Sequence, residues 1–290
     1  MMRTRRQFIR TVPAFGAFAI ARSPHRSLSS AQSSERPRQT APRSPDPTWP
    51  APPPAPGQPV DESFPSHHPA LARDMVAVSH GNIVRVRELL AQHRELAKAA
   101  WDWGYGDWET ALGAASHVGN RAIAELLLEH GAPPTHFSAA MLGQLDVLQA
   151  FLAATPGLQR MRGPHGLTLM VHAKNGGPQA AGVVALLETL GDANAPYRDE
   201  PLADEERASL AGRFTFGEGP RDNFVVSIER SGLMMARVGA AARGLFHRGQ
   251  FRFHAAGAEG VAIRFEREGA TTIALTVSDP DVVVRARKTE

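Results

Sequence analysis

Between residues 68 and 197 apolar positions recur at three- and four-residue spacing in short runs, and each run is interrupted by a glycine. That period turns one face of a short helix inward and leaves the other in water. "SHGNIVRVRELL" (79–90) and "SHVGNRAIAELLL" (116–128) align with Gly-Asn in register and a Leu pair beginning eight residues after each glycine. "AAMLGQLDVLQAFL" (139–152) repeats the pattern around Gly143, and "VHAKNGGPQAAGVVALLETLGDANA" (171–195) repeats it with a small insertion. Such self-similarity predicts stacked helix pairs, because one pair cannot bury its apolar face alone and a stack can. Ala114, Ala115, Ala139, Ala140 and Ala173 are small enough to let inner helices approach, with Leu89, Leu90, Leu126, Leu127, Leu186 and Leu187 filling the seam behind them.

Beyond about residue 205 the period shortens to two. "LAGRFTF" (210–216), "FVVSIER" (224–230), "LMMARV" (233–238), "GLFHR" (244–248), "QFRFHA" (250–255), "GVAIRFEREG" (260–269), "TIALTV" (272–277) and "VVVRARK" (282–288) are short runs separated by Gly, Asp or Pro. They predict an antiparallel meander curling into a small barrel or sandwich.

The helical stretch resembles ankyrin repeats. The family's Thr-Pro-Leu-His-x-Ala start is present in degenerate form as "TALGAA" (110–115) and "TLMVHA" (168–173), and its Gly-Ala-x-x-Asn end as "GAPP" (131–134) and "GDAN" (191–194). The breaking glycines Gly81, Gly119, Gly143 and Gly177 stand 38, 24 and 34 residues apart, close on average to the ankyrin period of about 33. Gly113 and Val171 replace the motif's histidine, and Ala111 and Leu169 its proline. The resemblance implies about four irregular repeats over 67–198, a solenoid whose concave face binds protein; generic helical hairpins are the alternative. In the β region, the Leu-x-Gly-x-Phe-x-Phe opening, the "IRFE" strand and the terminal "VRARK" resemble the small lipocalin-like domain that follows the catalytic domain of some bacterial serine β-lactamase-like peptidases. That likeness implies an accessory module, here joined to repeats instead of a catalytic domain. The expected fold class is therefore α+β and multidomain: an ankyrin-type α-solenoid followed by a small antiparallel β-barrel or sandwich over 205–290.

The amino-terminal stretch reads as an address. A basic region, the apolar run "TVPAFGAFAIA" and small residues up to Ala31 have the layout of a signal peptide over 1–31. Arg5 and Arg6, with Phe8 and Ile9 behind them, resemble the twin-arginine (Tat) export signal, which implies passage in a folded state to the periplasm or beyond. An uncleaved anchor or a basic arm is the alternative, but the apolar run is shorter than the roughly 20 residues a bilayer requires. Residues 32–66, centred on "WPAPPPAPGQP", are too poor in aliphatics to bury a core and read as a Pro-rich linker.

Charge and composition change the picture in two places. Removing the six arginines of residues 1–31 takes the formal net charge from +3 to −3, so nothing proposes a nucleic-acid partner. The absence of cysteine excludes disulfides, thiolate metal sites and thiol catalysis. No Gly-x-Ser-x-Gly, His-Glu-x-x-His or phosphate loop is present, and Ser-x-x-Lys has no plausible setting. The twelve histidines look scattered, with His80 and His117 at corresponding turns where they would satisfy loop carbonyls. No metal site, cofactor or catalytic residue is therefore expected.

Candidate binding residues come from the long gap between the first two repeats, "AAWDWGYGDWE". Trp101, Trp103, Tyr105 and Trp108 would form an aromatic finger for an unidentified protein partner; the alternative is that the rings fold back onto the first repeat or seal it against the β region. Weaker ligand-pocket candidates are Phe246, His247, Phe251 and Phe253, on adjacent predicted strands where alternation would turn His247 or His254 to solvent. The reading is an exported, non-catalytic interaction module that meets a membrane only during export. The alternative is a small-ligand-binding or hydrolase-accessory protein acting through its β domain.

Overall fold

Threonines and asparagines set where the helices begin. In the computed structural model, which describes residues 62–229, 232–280 and 282–290, Thr110, Thr135 and Thr168 each accept a backbone N–H two or three residues into α3 (Ala111–His117), α5 (His136–Leu142) and α7 (Leu169–Asn175). Asn82 and Asn120 cap α2 (Ile83–Gln92) and α4 (Arg121–Glu129) in the same way, satisfying amides that a helix start leaves unpaired. α1 (Pro69–Val78), α6 (Leu145–Ala154) and α8 (Ala181–Leu190) complete four pairs.

The pairs associate through the residues the periodicity marks. α1 packs on α3, α3 on α5 and α5 on α7, while α2 meets α4 and α6 meets α8. Ala114, Ala115, Ala139, Ala140 and Ala173 are all buried at these contacts, backed by Leu89, Leu127 and Leu187. Close approach has one further cause. Gly119, at φ +76°, lies so near the Asn175 carbonyl that a Cβ there would overlap it. One contact departs from a chain of nearest neighbours: α7 also touches α3. The stack thus curls, bringing the loop before α7 back toward the first two pairs.

Between the first two pairs the chain forms a hairpin of β1 (Ala100–Asp102) and β2 (Trp108–Thr110), paired Ala100 to Thr110, Trp101 to Glu109 and Asp102 to Trp108. Side chains alternate across it. Trp101, Trp103, Asp107 and Glu109 share the face turned to the helices, and Trp108 lies on the other.

The carboxy-terminal part is a closed eight-stranded antiparallel barrel. Its strands are β3 (Gly212–Thr215), β4 (Asn223–Glu229), β5 (Gly232–Arg237), β6 (Arg243–His247), β7 (Arg252–Ala255), β8 (Ala258–Glu268), β9 (Thr271–Asp279) and β10 (Val282–Lys288), with β10 returning to β3. Each of the eight expected runs contributes a strand, and closure decides between barrel and sandwich. Phe214, Phe224, Leu233, Phe253, Ile263 and Phe265 help fill the interior, as expected for a barrel of this size. The first strand begins later than expected, because Asp204–Leu210 forms α9, whose Leu210 packs into the barrel core. The described residues form one compact unit. The export signal and Pro-rich linker, including Arg5, Arg6 and Phe8, lie outside the described residues apart from the turn at 62–66. No described helix is long and apolar enough to cross a membrane.

Candidate metal centre

Repetition places the first two histidines. His80 follows α1 and His117 ends α3, and because those helices are neighbours the two rings come within 4.9 Å, edge to face. The curl of the stack adds a third: His165, in the turn before α7, has its ring 5.4 Å from that of His117. The hairpin supplies the carboxylate. Glu109 is fully buried, with Oε1 2.9 Å from His117 Nδ1 and 3.5 Å from His165 Nε2, and Oε2 3.5 Å from His80 Nε2. The four donor atoms all lie within 4.8 Å of one another. The expectation that the histidines are scattered does not hold, because residues far apart in the chain are brought to one point by a contact, α3 with α7, that has no period in the sequence.

The outer hydrogen bonds orient this set. His80 Nδ1 lies 3.0 Å from the Ala77 carbonyl oxygen, which leaves its Nε2 toward Glu109. The loop-carbonyl role expected for His80 thus accounts for one of its nitrogens. Asp107 accepts from the His165 backbone N–H and lies 2.8 Å from His165 Nδ1, while Arg243 of β6 binds the same carboxylate at 2.9 Å. Trp103 donates its indole N–H to Glu109 Oε2 at 2.8 Å. Three of the four donors are therefore held by a partner on their far side, the arrangement by which proteins orient metal-ligating imidazoles and carboxylates.

The carboxylate and the imidazoles set one another's protonation, so an ion at the centre would take the place of the His165 proton. Burial pushes the Glu109 carboxyl up, but the imidazoles of His117 and His165 outweigh it and hold the group at about 2. Asp107, then Glu109, raises His165 to about 9. Behind them His172 is fully buried, with no hydrogen-bond partner on either ring nitrogen among the described residues. Burial, then the neighbouring His117 and His136, lowers it to about 3. Glu109 Oε1 and His117 Nδ1 are buried and close, yet neither makes an aligned hydrogen bond. A carboxylate oxygen and an imidazole nitrogen 2.9 Å apart but out of hydrogen-bond alignment are placed as two ligands of one ion would be. Ligands of a tetrahedral zinc at about 2.0–2.1 Å stand roughly 3.3 Å apart, so closure on an ion would draw the widest pairs in by up to about 1.5 Å. Three imidazoles and a carboxylate, without thiolate, suit a zinc-class or iron-class divalent ion. Four protein ligands would close a tetrahedral ion; an ion of higher coordination number held by the same four would keep a position at which it would supply Lewis acidity to a ligand oxygen.

The centre borders a cleft of about 900 Å³ between the helical stack and the barrel, with His80, His165 and Asp107 in its wall. The aromatic finger closes another part. Trp101 and Trp103 are half-buried against the core of the first two helix pairs, and Tyr105, at φ +61°, reaches the barrel core. Trp108 is 63% exposed. The four aromatic candidates thus do not share one surface. Among the barrel candidates, Phe253 lies in the filled core and His247 stacks beside it with ring centroids 4.9 Å apart, while Phe251 packs at the core's margin. Phe246 faces outward, where Tyr197 covers it and His254. Both histidines are buried, contrary to the alternation argument: His247 is 7% and His254 6% exposed. The reason is that the segment before α9 folds over this wall, with Asp199 accepting from the His247 backbone N–H. No protein-family model matches the chain, and a search of the curated proteins finds no match.

Proposed function

We propose that the chain is a divalent-metal-binding protein whose working centre is His80, Glu109, His117 and His165, open to the cleft between helices and barrel. The observation that carries the reading is the convergence of four donors on one buried point, with three of them braced from behind. In this reading the helix pairs are an ankyrin-type scaffold whose corresponding turns present His80 and His117. The barrel, with its lipocalin-like strand pattern, contributes the opposite cleft wall. A Tat-type leader fits the same picture, since export in a folded state lets a metal be loaded before crossing.

Zinc titration of the chelator-stripped full chain tests it. One ion should bind per chain with micromolar affinity or tighter, and His117→Ala should weaken that by at least about tenfold. Equal affinity in the variant, with its fold intact by circular dichroism, would refute the assignment. A second reading keeps the protein-interaction role and rests on Trp108, a large aromatic left exposed on the outer hairpin face. Loss of a defined periplasmic partner from Trp108→Ala, and not from His117→Ala, would support it.

A further inference from the structure

The cleft beside the metal centre has a charge balance of its own. Two carboxylates line it, and both are engaged: Asp102 accepts from the backbone of Gly104 and Gly106, and Asp107 is shared by His165 and Arg243. Three arginines line it as well, and among the described residues only Arg243 has a carboxylate. Arg73, on α1, has no ion-pair or hydrogen-bond partner among the described residues. Arg221, on the loop between β3 and β4, makes a single 3.3 Å bond to the Val238 carbonyl. Two exposed arginines, one from α1 and one from the β3–β4 loop, thus line one cavity with donors left over among the described residues, and a guanidinium fork matches carboxylate and phosphate oxygens.

Apart from His80 and His165 of the metal centre, the rest of the lining is apolar. The run Gly239-Ala240-Ala241-Ala242 forms one side, and Trp101 and Trp103 contribute aromatic surface on the other. The volume of about 900 Å³ falls within the range of small-molecule sites, which pair an apolar body with a few placed polar groups.

We propose that this cleft binds a small organic anion, a carboxylate or phosphate ester on a flat apolar body, with its charged end on Arg73 and Arg221. The inference rests on the metal reading only for what lies beside the ligand; the arginines and the apolar walls stand without it. Benzoate and phenyl phosphate are the probes, titrated into the full chain in chelator-stripped and zinc-loaded forms. Trp101 and Trp103 line the cleft, so tryptophan fluorescence reports binding.

Saturable binding of either anion is expected, with no saturation by benzylammonium or benzamide. The ratio of the two affinities tells a carboxylate ligand from a phosphate one. Arg73→Ala combined with Arg221→Ala should weaken binding at least about tenfold, the loss of one to two charge-assisted hydrogen bonds. Lysine at both positions should recover part of it, which separates lost charge from lost fold. Zinc affinity should be unchanged in the double alanine variant. Failure of both anions to saturate into the tens of millimolar, or equal affinity in the double variant, would overturn the proposal even if zinc binds. Anion binding without zinc binding would leave it standing and remove the metal reading instead.

Discussion

Glu109 is an acid that the fold keeps wholly from water, and what surrounds it explains why that is tolerated. A buried carboxylate is costly unless paired and hydrogen-bonded. Here the partners are three imidazoles and the Trp103 indole, whose N–H reaches Oε2 at 2.8 Å. Trp103→Phe keeps the ring against the helical core and removes only that donor. It is expected to weaken zinc binding by about tenfold, as loss of an outer-shell partner does, and to lower the melting temperature of the metal-free chain by several degrees, because the buried acid loses a charge-assisted hydrogen bond; competition against a chromophoric chelator measures the first and calorimetry the second. Part of this centre was visible beforehand. His80 and His117 stand in matching Ser-His turns, so stacking had to bring them together, and a period of two puts Asp107 and Glu109 on one hairpin face. His165 carried no such signal, because its approach depends on α7 folding back to α3.

At the scale of elements, the hairpin and the curl of the stack do the positioning. The hairpin sends Trp101 and Trp103 into the helical core and Tyr105 toward the barrel, so Asp107 between them can bridge His165 and Arg243. The curl depends on close backbone contact where Gly119 meets Asn175. Gly119→Ala should cost about 1–2 kcal/mol from its left-handed φ alone and more from displacing the Asn175 carbonyl. Gly131→Ala, at φ +93° with open space around it, should pay only the conformational part. Denaturant midpoints of the two variants check the difference, and equal losses would mean that the α3–α7 contact has slack. The barrel strands were legible because alternation and turn residues are local signals. α9 was not read as a helix, although Asp204, Glu205 and Glu206 fill its first turn, where the helix dipole favours acids.

The whole molecule joins two architectures around one cleft. The helix pairs supply His80, His117 and His165, the hairpin supplies Glu109 and Asp107, and the barrel supplies Arg243 and the Gly-Ala wall. All four donors come from the helical half but from four separate segments, which is why a search for contiguous motifs passes over them; the barrel completes the cleft. An ion at the centre would link the first, second and fourth helix pairs directly, and the barrel through Asp107. The most direct measurement is anomalous diffraction at the zinc edge from crystals of the zinc-loaded chain. A single strong peak is expected with His80 Nε2, His117 Nδ1, His165 Nε2 and Glu109 as its ligands at about 2.0–2.2 Å. A zinc-loaded crystal with no peak among those four side chains, or with its ion held elsewhere, would contradict the account.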